Sequence, residues 1–102
     1  MNKFFLLTHS TYDFDFGEWR ENTIKHLSKD INKIKRIFTI YFSSIVDCEK
    51  SWRGCKIYMQ NFVEDPSFLK YNEVKILEIM CNHINIDHGD KYQMSIEVLY
   101  EE

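Results

Sequence analysis

An apolar stripe in the first half of the chain constrains the fold more than any other feature of the sequence. Its members follow one another in steps of three and four residues, and they are Ile24, Leu27, Ile31, Ile34 and Phe38. This spacing places them on one side of an α-helix. Acidic residues precede the stripe and basic residues follow it, as a helix dipole favours. We therefore predict a helix over residues 18–35 that packs Ile24, Leu27, Ile31 and Ile34 against a sheet.

The flanking segments have the residue types and the alternation of β-strands. Residues 3–9 are short, apolar and rich in Phe, which predicts a central strand. Residues 10–16 alternate, and they either extend that strand or form a loop, until Gly17 interrupts the pattern. Residues 36–46 and 55–63 predict a hairpin of two strands, although the first segment could also prolong the helix. Residues 92–100 predict a last strand, with one face formed by Tyr92, Met94, Ile96 and Val98.

A second helix is predicted after the break at residues 64–67. Asp65 can cap a helix whose first position is Pro66, which places the helix at residues 67–83, although residues 73–86 could instead be a strand. The order is then β-α-β-β-α-β. It predicts a ferredoxin-like α+β fold, with a four-stranded antiparallel sheet and helices on one face. The strand alternative predicts five strands and one long helix. In both cases residues 1–102 form a single domain.

The sequence shows no targeting or membrane-spanning pattern. Residues 4–7 are only four consecutive apolar residues, and the uncharged stretch 37–46 is too short for a membrane helix. The cysteines are Cys48, Cys55 and Cys81, and an odd number without an export signal predicts free thiols. We expect a cytoplasmic protein without a membrane partner.

No complete catalytic or metal-binding pattern is present in the sequence. His9-Ser10-Thr11 resembles half of a two-histidine phosphoesterase motif, but the later His83-Ile84-Asn85 lacks the hydroxyl residue. Cys81 and His83 are too close in sequence for the usual zinc spacing, and His88 lies at a turn. We predict no catalytic residue, no metal and no cofactor. A small enzyme that depends on His9 or His83 is one alternative.

Charge and aromatic residues point to a binding protein. Residues 1–63 carry ten basic and seven acidic residues, whereas residues 64–102 carry three basic and nine acidic residues. Aromatic rings and complementary charge are typical of interfaces. The predicted partner-binding residues are Asp13, Asp15, Glu18, Trp19, Glu21, Trp52, Arg53, Glu97 and Glu101. We expect Phe14 and Phe16 to fill the core.

These features favour a non-catalytic inhibitor that binds a basic protein. The most concrete version is a bacterial immunity protein that neutralises a nuclease-type toxin, since such a toxin needs basic residues to bind phosphate. The first alternative, ahead of the small enzyme, is a nucleic-acid-binding or regulatory domain that uses a basic helical stripe of Lys25, Lys29, Lys33 and Arg36. A homodimer formed through an edge strand is compatible with each hypothesis.

Overall fold

The computed structural model describes residues 2–101 as an antiparallel sheet with helices. Within these residues there are three strands, three α-helices and one short 3-10 helix. In chain order they are β1 (Asn2–Asp15), β2 (Glu18–Ser28), α1 (Ile31–Ile45), α2 (Trp52–Gln60), the 3-10 helix (Phe68–Lys70), α3 (Glu73–Asp87) and β3 (Tyr92–Glu101).

The sheet has the order β2-β1-β3, with both neighbouring pairs antiparallel. The predicted α+β class and the central position of the first strand are therefore confirmed. The predicted four or five strands and the β-α-β-β-α-β order are wrong. The sheet of the described chain has three strands, because β1 and β2 form one long hairpin and the middle of the chain is helical.

The helix predicted over residues 18–35 is the largest error. A turn at Phe16 and Gly17 sends the chain back along β1, so that residues 18–28 pair with β1 from Asp15 to Phe5. Ile24 and Leu27 lie on this strand with 49% and 57% of their surfaces exposed. They therefore do not pack a helix against the sheet. Long-range strand pairing overrides the local helical spacing.

The first helix begins at Ile31, after the chain leaves β2. The Asp30 carboxylate accepts a hydrogen bond from the backbone N–H of Asn32, at 2.9 Å, and caps the helix. The stripe predicted from sequence continues from here, because Ile34, Phe38 and Phe42 are buried at successive four-residue steps. The strand predicted over residues 36–46 is therefore wrong, and these residues prolong a helix.

The strand predicted over residues 55–63 is also wrong, because α2 occupies most of that segment. Cys55 and Met59 are buried four residues apart, on one side of the helix. Ser51 caps α2 by accepting a hydrogen bond from the backbone N–H of Gly54, at 2.9 Å. The alternation that suggested a strand is therefore misleading, because the buried residues of this segment follow the four-residue spacing of a helix.

The second predicted helix exists, but it begins later than expected. α3 starts after Asn72, whose side chain accepts a hydrogen bond from the backbone N–H of Lys75. Asp65 instead accepts hydrogen bonds from the backbone of Ser67 and from the Tyr71 hydroxyl. The Tyr71 bond is the main reason that the pKa of the Asp65 carboxyl is lowered. The alternative strand over residues 73–86 is wrong.

The core lies between the helices and one face of the sheet. Its largest fully buried side chains belong to β1, to all three helices and to the 3-10 helix, and they include Leu7, Ile34, Phe38, Phe42, Met59, Phe68, Leu77, Met80 and Ile84. The last strand contributes Met94 and Ile96, as predicted. None of the helices described is long and apolar enough to cross a membrane.

The two edges of the sheet differ. On β3, the side-chain amide of Asn85 bonds both the N–H and the carbonyl of Met94, so α3 partly caps this edge. Among residues 2–101 no strand pairs with the other side of β2. The edge of β2 is therefore the side at which another strand could add.

Candidate partner-binding surface

The β1–β2 hairpin extends beyond the rest of the sheet. Pairing between β1 and β3 ends at Thr11 and Tyr92, whereas β1 and β2 stay paired as far as Asp15 and Glu18. Residues 12–22 therefore form a two-stranded projection, which we call the hairpin arm. Every residue from 13 to 25 is exposed. The arm thus offers both its faces to a partner.

The tip of the arm is a two-residue turn formed by Phe16 and Gly17. Their φ angles are 52° and 78°, so both residues are in the left-handed region. A type I′ turn requires this conformation at both central positions, because its twist matches that of the strands. Glycine adopts it freely, but an aromatic residue does not. A strained, exposed ring at a loop tip is the kind of outlier that motivates a functional hypothesis.

Three large aromatic residues lie exposed on the arm. The exposed fractions of Phe14, Phe16 and Trp19 are 62%, 87% and 67%. Phe14 and Trp19 are cross-strand partners whose ring centroids are 5.3 Å apart. Arg20 places its guanidinium 5.6 Å from the centroid of the Phe16 ring. The expectation that Phe14 and Phe16 fill the core is wrong, because β3 begins at Tyr92, opposite Thr11, and does not extend beside the arm.

The arm is also acidic. Its four carboxylates belong to Asp13, Asp15, Glu18 and Glu21, and its one basic residue is Arg20. Asp15 and Glu18 face each other across the strands, an arrangement of like charges that disfavours the free hairpin. Strand alternation separates Asp13, Asp15 and Glu18 from the face that carries Phe14 and Trp19. The arm therefore has an aromatic face and an acidic face.

A cavity of about 490 Å³ lies where the aromatic face meets the body of the protein. Its walls are formed by Tyr12, Trp19, Gly89, Asp90 and Gln93. The Gln93 side-chain N–H donates to the carbonyl of Gly89, at 3.0 Å, which leaves the Gln93 side-chain oxygen as an acceptor. Two aromatic rings, a carboxylate and an amide oxygen suit an ammonium or guanidinium group.

Tyr12 links this cavity to the acidic residues of the arm. Its hydroxyl donates to Glu21 Oε1 at 3.4 Å, and the Thr23 hydroxyl donates to the same oxygen at 3.1 Å. The pKa of Tyr12 is raised, first by desolvation and then by the negative charge of Glu21. Tyr12 therefore remains a neutral phenol, and Glu21 is held beside the cavity.

The other predicted partner-binding residues do not join the arm. Trp52 and Arg53 begin α2, and Trp52 is half-buried with its ring edge-on to Phe38 at 6.4 Å. Glu97 pairs opposite Leu6 and Glu101 opposite Asn2, toward the far end of the sheet. At about 3.3 Å per residue along a strand, this far end is roughly 30 Å from the arm. The nine predicted residues therefore do not form one surface.

The basic helical stripe predicted as the alternative site is not assembled either. Lys25 lies on β2 and Lys29 directly follows that strand. Lys33 and Arg36 instead lie on α1. Lys29 places its ammonium 5.2 Å from the Phe4 ring, on the sheet. These four residues therefore do not follow one helix face.

The two candidate catalytic histidines occupy separate environments. His9 is buried between the rings of Tyr41 and Tyr92, at centroid distances of 4.2 Å and 6.3 Å, and its Nε2 has no hydrogen-bond partner in the described part of the chain. Burial, and then the nearby charge of His26, lowers the pKa of His9. His83 instead contacts Asp87 through Nδ1, at 3.2 Å.

No group of three or more potential metal ligands comes together within residues 2–101. The cysteines considered for a metal are free thiols, and Cys81 is buried in the core. His83 lies on α3 and His88 directly after it. The candidate site of this structure is therefore the arm and the cavity at its base.

Sequence reasoning placed Phe14 and Phe16 in the core, and it did not assign Asp90 or Gln93 to a binding site. The available signal was the alternation of residues 12–16 followed directly by Gly17, which is typical of a strand that ends in a hairpin turn. Asp90 and Gln93 had no comparable signal, because they reach the cavity only through pairing of β3 with β1.

Comparisons with protein-family models, with curated proteins and with solved structures identified no significant match.

Proposed function

We propose that this chain is a non-catalytic binding protein whose hairpin arm binds a basic protein. The observation that carries the proposal is the exposure of Phe14, Phe16 and Trp19 together on one acidic projection. Isolated exposed apolar residues are ordinary, but a contiguous aromatic patch is typical of an interaction site. The most concrete version remains an immunity-type inhibitor of a basic nuclease toxin.

The two faces of the arm suit different parts of such an interaction. Trp is among the residues that dominate the binding free energy at interfaces, and aromatic rings such as Trp and Phe bury a large area with few rotatable bonds. The carboxylates of Asp13, Asp15 and Glu18 favour approach of a positively charged surface. A nuclease presents such a surface, since it neutralises phosphates with Lys and Arg. The arm would cover those residues.

The test begins with capture of a partner by the immobilised full chain from a nuclease-treated lysate. The captured protein is then purified, and its affinity is measured by calorimetry. We expect a basic protein, and we expect Trp19→Ser to weaken binding by about 2 kcal/mol, which is roughly thirtyfold. The association rate should also fall as salt increases from 50 to 300 mM. The Debye length is already about 10 Å at 0.1 M, so added salt weakens the long-range attraction between the two proteins.

The matched control is Ile86→Ser. Ile86 is 81% exposed on α3, so this variant removes an exposed apolar side chain that lies outside the arm. Equal losses of binding affinity in Trp19→Ser and Ile86→Ser would contradict the proposal. Capture of an acidic protein by the wild type and by both variants would contradict it as well. Wild-type chain that elutes as a dimer, with Trp19→Ser monomeric, would instead identify a second copy as the occupant.

A further inference from the structure

A second cavity, remote in the chain from the arm, is lined by basic residues. Its volume is about 510 Å³, within the range of small-molecule sites. Lys35 and Arg36 reach it from α1, and Lys50 reaches it from the segment before α2. No acidic side chain from residues 2–101 lines it, although the whole chain has a net charge of −3. We call it the basic pocket.

One wall of the basic pocket is held in place by packing. The Lys35 ammonium donates to Glu73 Oε1 at 2.7 Å and lies 5.4 Å from the centroid of the Trp52 ring. Lys56 places a second ammonium 5.9 Å from the same ring. Trp52 itself contacts buried Phe38. The aromatic wall and one cation are therefore fixed before any ligand arrives.

The other two cations of the pocket have unused charge. Arg36 and Lys50 are exposed, and neither forms a salt bridge with any residue from 2 to 101. Ser51 also lines the pocket, and its oxygen accepts from the N–H of Gly54, so its hydroxyl hydrogen is available to a ligand. Because Lys35 is already paired with Glu73, the uncompensated like charges of the pocket are those of Arg36 and Lys50, and a bound anion would relieve their repulsion.

We infer that the basic pocket binds the phosphate group of a small molecule. A phosphate monoester carries nearly two negative charges and three acceptor oxygens, which matches the two uncompensated cations, Arg36 and Lys50, better than a single carboxylate does. Arg36 supplies the planar donor pair that binds phosphate oxygens in parallel. Ile40 and Trp52 form an apolar wall against which the organic part of the ligand would lie. This site is independent of the hairpin arm.

The experiment uses the full chain with Trp19→Phe, which leaves Trp52 as its one tryptophan. Trp52 fluorescence is followed at constant ionic strength during titration with inorganic phosphate, adenosine 5′-monophosphate and uncharged adenosine. We expect both phosphates to bind and adenosine to give no change. Tighter binding of the nucleotide would identify an organic phosphate as the ligand, and equal binding would identify the phosphate group alone.

Charge removal then tests the assigned residues. Arg36→Gln combined with Lys50→Gln should weaken phosphate binding by about tenfold or more, because charge-assisted hydrogen bonds are lost. Lys91→Gln is the control, since Lys91 is exposed and does not line the pocket. Both changes are at the surface, and circular dichroism checks the fold. Phosphates that bind no better than adenosine, or unchanged affinity in the double variant, would overturn the inference.

Discussion

Replacing Phe16 by Asn should stabilise the fold, although it removes a large side chain. Phe16 has a φ of 52°, and this left-handed conformation costs a residue with a bulky side chain about 1–2 kcal/mol. Asn is favoured at that position of a type I′ turn. Because the Phe16 side chain is 87% exposed, the replacement loses little buried area.

The opposing effect is loss of the contact between the Phe16 ring and the Arg20 guanidinium, at 5.6 Å. Such a contact contributes about 0.5–1 kcal/mol at an exposed site. The net gain in the free energy of unfolding is then about 0.5–1 kcal/mol. For a domain of this size, that gain raises the melting temperature by roughly 2–8 °C.

Urea unfolding and calorimetry of the Phe16→Asn variant measure both quantities. The matched control is Phe14→Asn, because Phe14 lies two residues away on a strand and contacts Trp19. That variant should lose about 1 kcal/mol, through weaker strand propensity and loss of the aromatic pair. If Phe16→Asn destabilised the protein as much as Phe14→Asn does, the reasoning about turn strain would be refuted. A stabilised variant that binds its partner less well would show that Phe16 is retained for binding despite the strain of the turn.

Three further predictions concern buried groups. The pKa of His9 is lower in the folded protein than its ordinary value of 6.5, so the unfolded chain takes up a proton first as pH falls. Stability should therefore decrease below about pH 6.5, by up to 1.36 kcal/mol per pH unit, and His9→Leu should flatten this slope in urea titrations. Gly89→Ala would place a Cβ against the backbone carbonyl of Asn85 in α3, and this overlap should lower the free energy of unfolding by about 1–3 kcal/mol in the same assay. Unchanged stability would contradict this prediction. Burial raises the pKa of Cys55 and Cys81 to about 12. Alkylation followed by mass spectrometry should therefore label half-buried Cys48 first, and faster labelling of Cys81 would contradict the packing.

Several elements of this fold are determined by local sequence. The apolar segment of β1 and the alternation of Met94, Ile96 and Val98 on β3 each predict a strand, and strands form there. Gly17 marks the turn. The helical spacing of Ile34 and Phe38 is also real, and it belongs to α1. In each case the residue pattern matches the burial that the element acquires.

The tertiary structure decides where the helical stripe begins. Ile24 and Leu27 continue the spacing of the stripe backwards, but the chain at that point is paired with β1. Hydrogen bonds to a strand more than ten residues away cannot be read from a local period. The same holds for residues 55–63, whose alternation would suit a strand until Cys55 and Met59 pack in the core as one side of α2.

The candidate site divides in the same way. Sequence alone places four carboxylates and a tryptophan within residues 13–21. Only the fold decides that they are exposed together, because β3 stops pairing with β1 at Thr11 and leaves the hairpin without a third strand. Asp90 and Gln93 join Trp19 through that same pairing. Residue type is a local property, whereas exposure depends on which distant segment covers the residue, and that is settled only when the chain has packed.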